Sequence, residues 1–271
     1  MQYLESISPI RKVYKTTGSR PVLVMCNDLE YYVCKYNNSY GGAANKLLRE
    51  YIGACFLKEW NLSVPDFAFI KISGEHIGGF LELQNYFFKT TCFGSKFNRN
   101  FKEVDKFISS LEACDRKLFA NKNDYLLIAL FDIWMSNEDR NYGNYNLMLN
   151  FEGGNDFIPI DHEMIFNTGN LDKGLYLISE SESIINTPLT TRLFTKKELS
   201  DISKLARIKD EYYNCIEQCK SKLHVILENT PDDWSIDINI EIELLQSELF
   251  NVNWINNAYK EFLTFIQSQI R

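Results

Sequence analysis

Short runs of β-branched and aromatic residues dominate the first third of the chain, and apolar residues at helical spacing dominate the rest. The candidate strands are residues 21–26, 31–36, 67–72 and 76–83. The turn at residues 73–75 would join the last two into a hairpin. Apolar stripes with spacings of three and four predict helices in residues 43–60, 104–118, 125–134 and the C-terminal 35 residues. The pattern therefore predicts a strand-rich first part interrupted by one helix, followed by a mainly helical second part.

The remaining local signals support an α+β chain with two lobes. Thr195 and Glu198 match a capping box, which predicts the start of a long helix. The sequence contains no internal repeat, low-complexity tract or interdomain linker. A chain of 271 residues can bury a large core. We expect a two-lobed, protein-kinase-like fold with a strand-rich small lobe at residues 1–85 and a mainly helical large lobe at residues 86–271.

Composition excludes several classes of protein. The formal net charge of -7 argues against nucleic acid as an obligate partner. Seven cysteines without a CxxC pair indicate a reducing compartment and no disulfide framework. Residues 1–13 contain no apolar signal core, and no apolar run approaches the length of a membrane span. We therefore expect a cytoplasmic protein with no membrane partner.

The octet from Asn137 to Asn144, with the sequence NEDRNYGN, carries the candidate chemistry. An acid five positions before an amide is the spacing of a kinase catalytic loop, where Asp139 would accept a hydroxyl proton and Asn144 would hold a divalent cation. Candidate strands 146–150 and 157–160 follow, and Asp161 comes next. An antiparallel hairpin would bring Asp161 beside Asn144, and two such oxygen ligands suit Mg²⁺. Taken alone, the octet is equally compatible with an ordinary polar loop.

A lysine and a glutamate in the first third complete the constellation. Lys35 interrupts the apolar pattern of a candidate strand, where a lysine also occurs as a snorkelling edge residue. Glu50 lies beside the apolar stripe of the next helix; as a lone residue it would usually be a solvated charge. Kinases use such a pair, because the glutamate orients the lysine toward phosphate. If partly exposed, the pair would contribute about 1 kcal/mol or less to folding.

Six landmarks in this order resemble the HipA-like kinases, which are atypical bacterial serine/threonine kinases distantly related to the phosphatidylinositol-kinase fold. The landmarks are residues 17–24, Lys35, residues 48–50, residues 62–65, residues 137–144 and residues 160–162. The resemblance covers roughly residues 13–167. It departs from the family at Arg20, where the family usually has a small hydroxyl residue, so the detailed phosphate contacts of this loop are not carried over.

The resemblance implies roles for the polar residues one at a time. Lys35 would contact the α- and β-phosphates of ATP, and Glu50 would pair with it. Asp139 would be the catalytic base. Asn144 and Asp161 would bind Mg²⁺.

The resemblance also implies a nucleotide site in the small lobe. Backbone amides around Thr17, Gly18 and Ser19 would cover the phosphates. The adenine would meet backbone groups at a hinge near Glu82 and Gln84, where the last strand of the small lobe is expected to end.

The expected function is transfer of the γ-phosphate of Mg-ATP to a serine or threonine hydroxyl of a protein, by a toxin or regulatory kinase. A protein substrate and a cognate antitoxin or regulatory protein are the candidate partners. Two alternatives remain open: a small-molecule kinase of the aminoglycoside-phosphotransferase type, and a nucleotide-binding pseudokinase that acts as an interaction module. A lipid kinase is disfavoured, because no basic or amphipathic stretch suits an anionic membrane.

Overall fold

The structure is a computed structural model. It describes residues 1–15, 19–38, 44–80, 83–104, 119, 121–152 and 154–271. Two compact units divide the chain. The first unit comprises Met1–Ile52, Pro65–Asn98 and Val225–Ile238, and the second comprises Gly53–Val64, Arg99–His224 and Asn239–Arg271. The two expected lobes, residues 1–85 and 86–271, stay a prediction.

A six-stranded sheet organises the first unit. Its strands are β1 (Tyr3–Glu5), β2 (Lys12–Val13), β3 (Val22–Met25), β4 (Tyr31–Lys35), β5 (Phe67–Lys71) and β6 (Cys92–Lys96). Their order across the sheet is β1-β5-β6-β4-β3-β2. The β1–β5 pair is parallel, whereas the other neighbours are antiparallel. Burial alternates along β4 and places Tyr32 and Cys34 in the core, as a strand with one buried face requires.

The prediction of a strand at residues 76–83 is wrong. Gly74–His76 forms a 3₁₀ turn, and the described residues that follow it, 77–80 and 83, contain no strand. Two adjacent glycines interrupt the run, and Gly79 has a φ of 99°, which an extended strand does not accommodate. The central position between β4 and β5 is taken instead by β6. A Cβ atom at Gly94 would lie 2.2 Å from Ile70 Cδ1, so a larger residue at that position would force the Ile70 side chain to shift.

The helix that carries Glu50 is present as expected, from Asn45 to Glu59 (α1). Its Tyr51 ring lies 5.0 Å from the ring of Phe69 and 6.3 Å from that of Trp234. The carbonyl oxygen of Trp234 accepts a hydrogen bond of 3.0 Å from Ala44 N, just before α1. The segment around Trp234 therefore fixes the start of the helix against the sheet.

The second unit contains the expected hairpin. Strands β8 (Leu147–Asn150) and β9 (Asp156–Pro159) pair antiparallel, and β7 (Phe101–Glu103) adds a third strand on the other side of β8. Helix α2 (Asn123–Trp134) precedes the octet, and ten of its twelve residues are buried. The apolar stripe expected at residues 104–118 falls almost entirely outside the described residues.

Helices dominate the chain from residue 188 onward. They are α3 (Pro188–Leu193), α4 (Lys196–Leu199), α5 (Ile202–Glu228), α6 (Ile238–Leu244) and α7 (Val252–Ile270). The Thr195 capping box is present, but the helix that it begins ends at Leu199. The long helix starts instead at Ile202, after Asp201, whose Oδ1 accepts hydrogen bonds from Ser203 N and Lys204 N. No helix in the described part of the chain is long and apolar enough to cross a membrane.

Candidate active site

The loop between α2 and β8 brings Asp139 and Asn144 together. Asp139 Oδ2 accepts hydrogen bonds from Asn144 Nδ2 at 3.0 Å and from Asn146 Nδ2 at 2.9 Å. Asn146 was not a candidate from the sequence, and it has a left-handed backbone with a φ of 45°, which asparagine tolerates better than most residues. Two amide side chains therefore hold the half-buried Asp139 carboxylate in one orientation.

The hairpin returns the chain to this loop at Asp161. Ile160 N donates a hydrogen bond of 2.9 Å to Asn146 O, so the pairing of the two strands continues to the residue before Asp161. Asp161 itself has a φ of 61°. This left-handed conformation is several-fold enriched in aspartate and asparagine. Asn144 and Asp161 thus lie at the same end of the hairpin. Asn144 is two residues before Asn146, and Asp161 directly follows Ile160.

A buried ion pair, which the sequence analysis did not single out, anchors the loop between α2 and β8. Arg140 is fully buried and Asp132, in α2, is 1% exposed. Arg140 Nη1 forms a short ion pair with Asp132 Oδ1. Arg140 also donates to Ile160 O at 2.8 Å and to Asn146 O at 3.3 Å. One guanidinium therefore connects α2 to the backbone on both sides of the hairpin end, and its planar fork suits such a task.

The Asp132 carboxylate has an unusual environment. Burial raises its pKa to about 6, although the charge of Arg140 and a 2.9 Å hydrogen bond from Asn137 Nδ2 oppose the rise. The sequence contained a signal for this pair. Asp132 interrupts an otherwise apolar, fully buried run, and a carboxylate in such a place needs a cation; Arg140 follows eight residues later.

Lys35 and Glu50 form an ion pair within the first unit. Lys35 is the last residue of β4, and Glu50 lies in α1. Side-chain exposure is 14% for Lys35 and 4% for Glu50. The pairing expected from the sequence is therefore present, but Glu50 is buried and is not a solvated helix charge.

The phosphate-loop candidates lie in the connection between β2 and β3. Tyr14 N donates to Pro21 O at 2.9 Å and extends the pairing of the two strands into this connection. Ser19 is partly buried. Thr17 and Gly18 lie outside the described residues.

The adenine contacts expected near Glu82 and Gln84 depended on a strand that the structure does not contain in the described residues. Gln84 is exposed and precedes a 3₁₀ turn, Asn85–Phe88. Glu82 lies outside the described residues. The hinge was placed at the end of a strand over residues 76–83, and that strand is absent from the described residues there. The last strand of the sheet along the chain is β6, which ends at Lys96.

Kinases have an ion-paired lysine on a strand-rich sheet and, elsewhere in the chain, an acid and an amide five residues apart; this chain contains both features. A family model described as HipA-like kinase matches residues 7–263. The chain therefore belongs to the HipA-like kinase family, and its activity class is phosphotransferase.

Solved structures match the chain at low sequence identity. The chain is similar to the Helicobacter pylori proinflammatory kinase CtkA, with a TM-score of 0.54 and 12% identity over 99% of this chain and 97% of that one. The open conformation of CtTel1 matches with a TM-score of 0.34 and 11% identity over 95% of this chain and 12% of that one; this match is too weak to support an argument. A search of curated proteins finds no match. The likeness to CtkA establishes the kinase fold alone.

Proposed function

We propose that this HipA-like kinase transfers the γ-phosphate of Mg-ATP to a serine or threonine hydroxyl of a protein. The observation that carries the proposal is the Asp139 carboxylate, oriented by Asn144 and Asn146 at the hairpin end that leads to Asp161. A protein substrate, a cognate antitoxin or regulatory protein, and a cytoplasmic location are parts of the same proposal.

The hydrogen bonds of Asp139 suit a general base. Both amide donors use Oδ2, and among the described residues no donor reaches Oδ1. Oδ1 is therefore available to accept the proton of a substrate hydroxyl. The two amides fix the carboxylate, so little reorganisation is needed when the hydroxyl attacks.

The donor set at the hairpin end fits Mg²⁺. Asn144 directs its Nδ2 to Asp139, so its Oδ1 remains as an oxygen ligand, and Asp161 supplies a carboxylate. Magnesium ions prefer oxygen ligands of this kind, together with water and phosphate oxygens. When bound, the cation would neutralise charge on the β- and γ-phosphates.

Lys35 and Glu50 would act on the nucleotide from the first unit. The lysine would contact the α- and β-phosphates, as a strand lysine does in kinases. Glu50 would hold the ammonium in one position through the ion pair that the two side chains form. Ser19 and its neighbours Thr17 and Gly18 would offer backbone amides to the phosphates.

The direct test is Asp139→Asn, measured by transfer of labelled phosphate from ATP to a protein acceptor and to the kinase itself. Loss of a positioned base should lower the transfer rate about 100-fold or more, while a thermal-shift assay should show retained ATP binding. Asp210→Asn, an exposed acid of α5 in the same unit, is the control and should behave like wild type. A rate for Asp139→Asn within threefold of wild type would remove Asp139 from this role.

The metal assignment has its own test. Asp161→Asn should abolish the dependence of ATP binding on Mg²⁺, because one charged ligand is lost. Calorimetry with and without Mg²⁺ measures this directly. Unchanged Mg-ATP affinity in the variant would contradict the assignment. Phosphate transfer to aminoglycosides, but to no protein, would replace the protein-kinase proposal by the small-molecule one.

A further inference from the structure

Three consecutive residues in the second unit have a left-handed backbone. Phe166, Asn167 and Thr168 have φ values of 61°, 49° and 60°, and none is glycine. Such residues are strained singly, and a run of three persists only where the surroundings hold it. The run begins five residues after Asp161 in the chain, so the strain lies close in sequence to the proposed metal ligand.

The backbone of this turn is bound to the start of the catalytic loop. Phe166 N donates to Met135 O at 2.8 Å, and Asn167 N donates to Ser136 O at 3.1 Å. The buried Asn167 side chain extends the contact to Tyr176, because its Oδ1 accepts from Tyr176 N at 3.0 Å and its Nδ2 donates to Tyr176 O at 3.1 Å. The segment from 166 to 176 is therefore a closed loop that lies along residues 135 and 136.

Glu138 joins the two ends of this loop. Its Oε1 accepts hydrogen bonds from Tyr176 Oη at 2.5 Å and from Asn167 Nδ2 at 3.2 Å. Its Oε2 accepts a hydrogen bond of 3.0 Å from Thr168 Oγ1. Both carboxylate oxygens are thus engaged, and the bond to Glu138 raises the pKa of Tyr176.

We propose that Glu138 is a positioning residue, and that with Asn167, Thr168 and Tyr176 it forms a latch holding segment 166–176 against the catalytic loop. This inference rests on the proposed kinase function. Glu138 directly precedes Asp139, so its carboxylate couples the backbone of the base to the chain beyond Asp161. In a kinase that chain receives the protein substrate, and the latch would set where the substrate hydroxyl meets Asp139.

Two of the latch residues are exposed, which argues that the latch positions segment 166–176 and contributes little to global stability. Thr168 is exposed and Tyr176 is 55% exposed, and hydrogen bonds at the surface contribute little to global folding. The strained turn, in contrast, depends on local bonds to persist. Breaking the latch should therefore loosen segment 166–176 without unfolding the protein.

The experiment combines steady-state kinetics with amide hydrogen exchange on Glu138→Ala, Tyr176→Phe, Thr168→Ala and Thr168→Ser. We expect Glu138→Ala to lower kcat about tenfold or more with KM for ATP within twofold of wild type. Tyr176→Phe and Thr168→Ala should each lower kcat severalfold. Thr168→Ser restores the hydroxyl and should return kcat to within twofold of wild type. Exchange at residues 167 and 176 should accelerate in every variant that lowers kcat.

Glu182→Ala is the matched control. Glu182 is also a partly exposed acid of this region, and its carboxylate accepts from Ser179 N and Oγ, within its own turn. Its removal should change neither kcat nor exchange at residues 167 and 176. Unchanged exchange in Glu138→Ala overturns the latch, and faster exchange with unchanged kcat overturns its positioning role. A wild-type protein that transfers no phosphate overturns the proposed function and, with it, the catalytic part of the inference, while exchange still reports on the latch.

Discussion

Two ion pairs, one in each unit, have the same chemistry and different surroundings. Lys35 pairs with Glu50 and keeps 14% of its side chain exposed. Arg140 pairs with Asp132, has no exposed surface, and uses further donors on two backbone carbonyl oxygens. The first cation is within reach of a ligand from solvent, whereas the second is enclosed by its own chain.

The difference shows that a buried ion pair does not reveal its role by itself. Its net contribution to stability can even be unfavourable, because desolvation offsets the attraction. The other contacts of the cation therefore indicate which role the ion pair has. Arg140 connects a helix to the end of a hairpin and is suited to fix a loop, while Lys35, at the end of β4, is suited to meet phosphate.

The largest expected effect is on stability, from Arg140→Met. The change leaves the buried Asp132 without its cation and removes the hydrogen bond that Arg140 donates to Ile160 O, so we expect a loss of about 3–5 kcal/mol in the free energy of unfolding. Lys35→Met is the matched variant in the other pair and should cost less, because Lys35 keeps 14% of its side chain exposed and water can partly replace the lost contact. Urea denaturation of both variants measures the contrast, and equal losses would remove the distinction between the two pairs.

The next largest expected effect is on activity, where the Lys35 variant should lose more than its smaller loss of stability would suggest. Lys35→Met should lower kcat/KM for ATP about 100-fold, because misplacing or losing a phosphate contact has a cost of this size. Lys35→Arg keeps the charge but not the compact ammonium, and it should recover only part of the rate. Full activity in Lys35→Met, in protein shown to be folded by circular dichroism, would contradict the phosphate role.

The pair in the first unit should behave as one functional unit. Lys35→Ala combined with Glu50→Ala should be little worse than either single variant in kcat/KM, because both changes remove the same interaction. Each single loss should approach 100-fold, and the double loss should stay within a few-fold of it. Fully additive losses would mean that Glu50 acts independently of the lysine.

The sequence predicted the parts of this site that depend on local pattern. The candidate octet at residues 137–144 and the hairpin of β8 and β9 are contiguous in the chain, so their turn residues and apolar alternation determine the geometry. Lys35 and Glu50 could be placed because each lies at a fixed point of a strand or helix with clear periodicity. That Glu50 would be buried could not be predicted from these patterns, because burial depends on which elements cover α1.

The sequence failed where packing between distant segments decides the structure. Strand β6 contains Gly94, which weakens the strand signal, yet the strand pairs with β4 and β5 and packs closely against Ile70. The glycines at 78 and 79 had the opposite effect and ended an apolar run that looked extended. The Glu138 latch joins residues up to 38 positions apart, and no local pattern indicates such a contact.

The smallest expected effect is a pH dependence that belongs to the enclosed pair alone. Burial raises the pKa of Asp132 to about 6 in the folded protein, against about 3.9 in an unfolded chain. Between these values the folded state binds more protons, so the contribution of Asp132 to stability is fully present below pH 4 and is lost as the pH rises through 6. The free energy of unfolding of wild type minus that of Asp132→Asn should therefore fall as the pH rises from 4 to 6. Urea denaturation across this range, with Asp172→Asn as the control, measures the slope. If the difference in unfolding free energy rose with pH instead, attraction to Arg140 would outweigh burial, and the pKa of Asp132 would lie below its usual value.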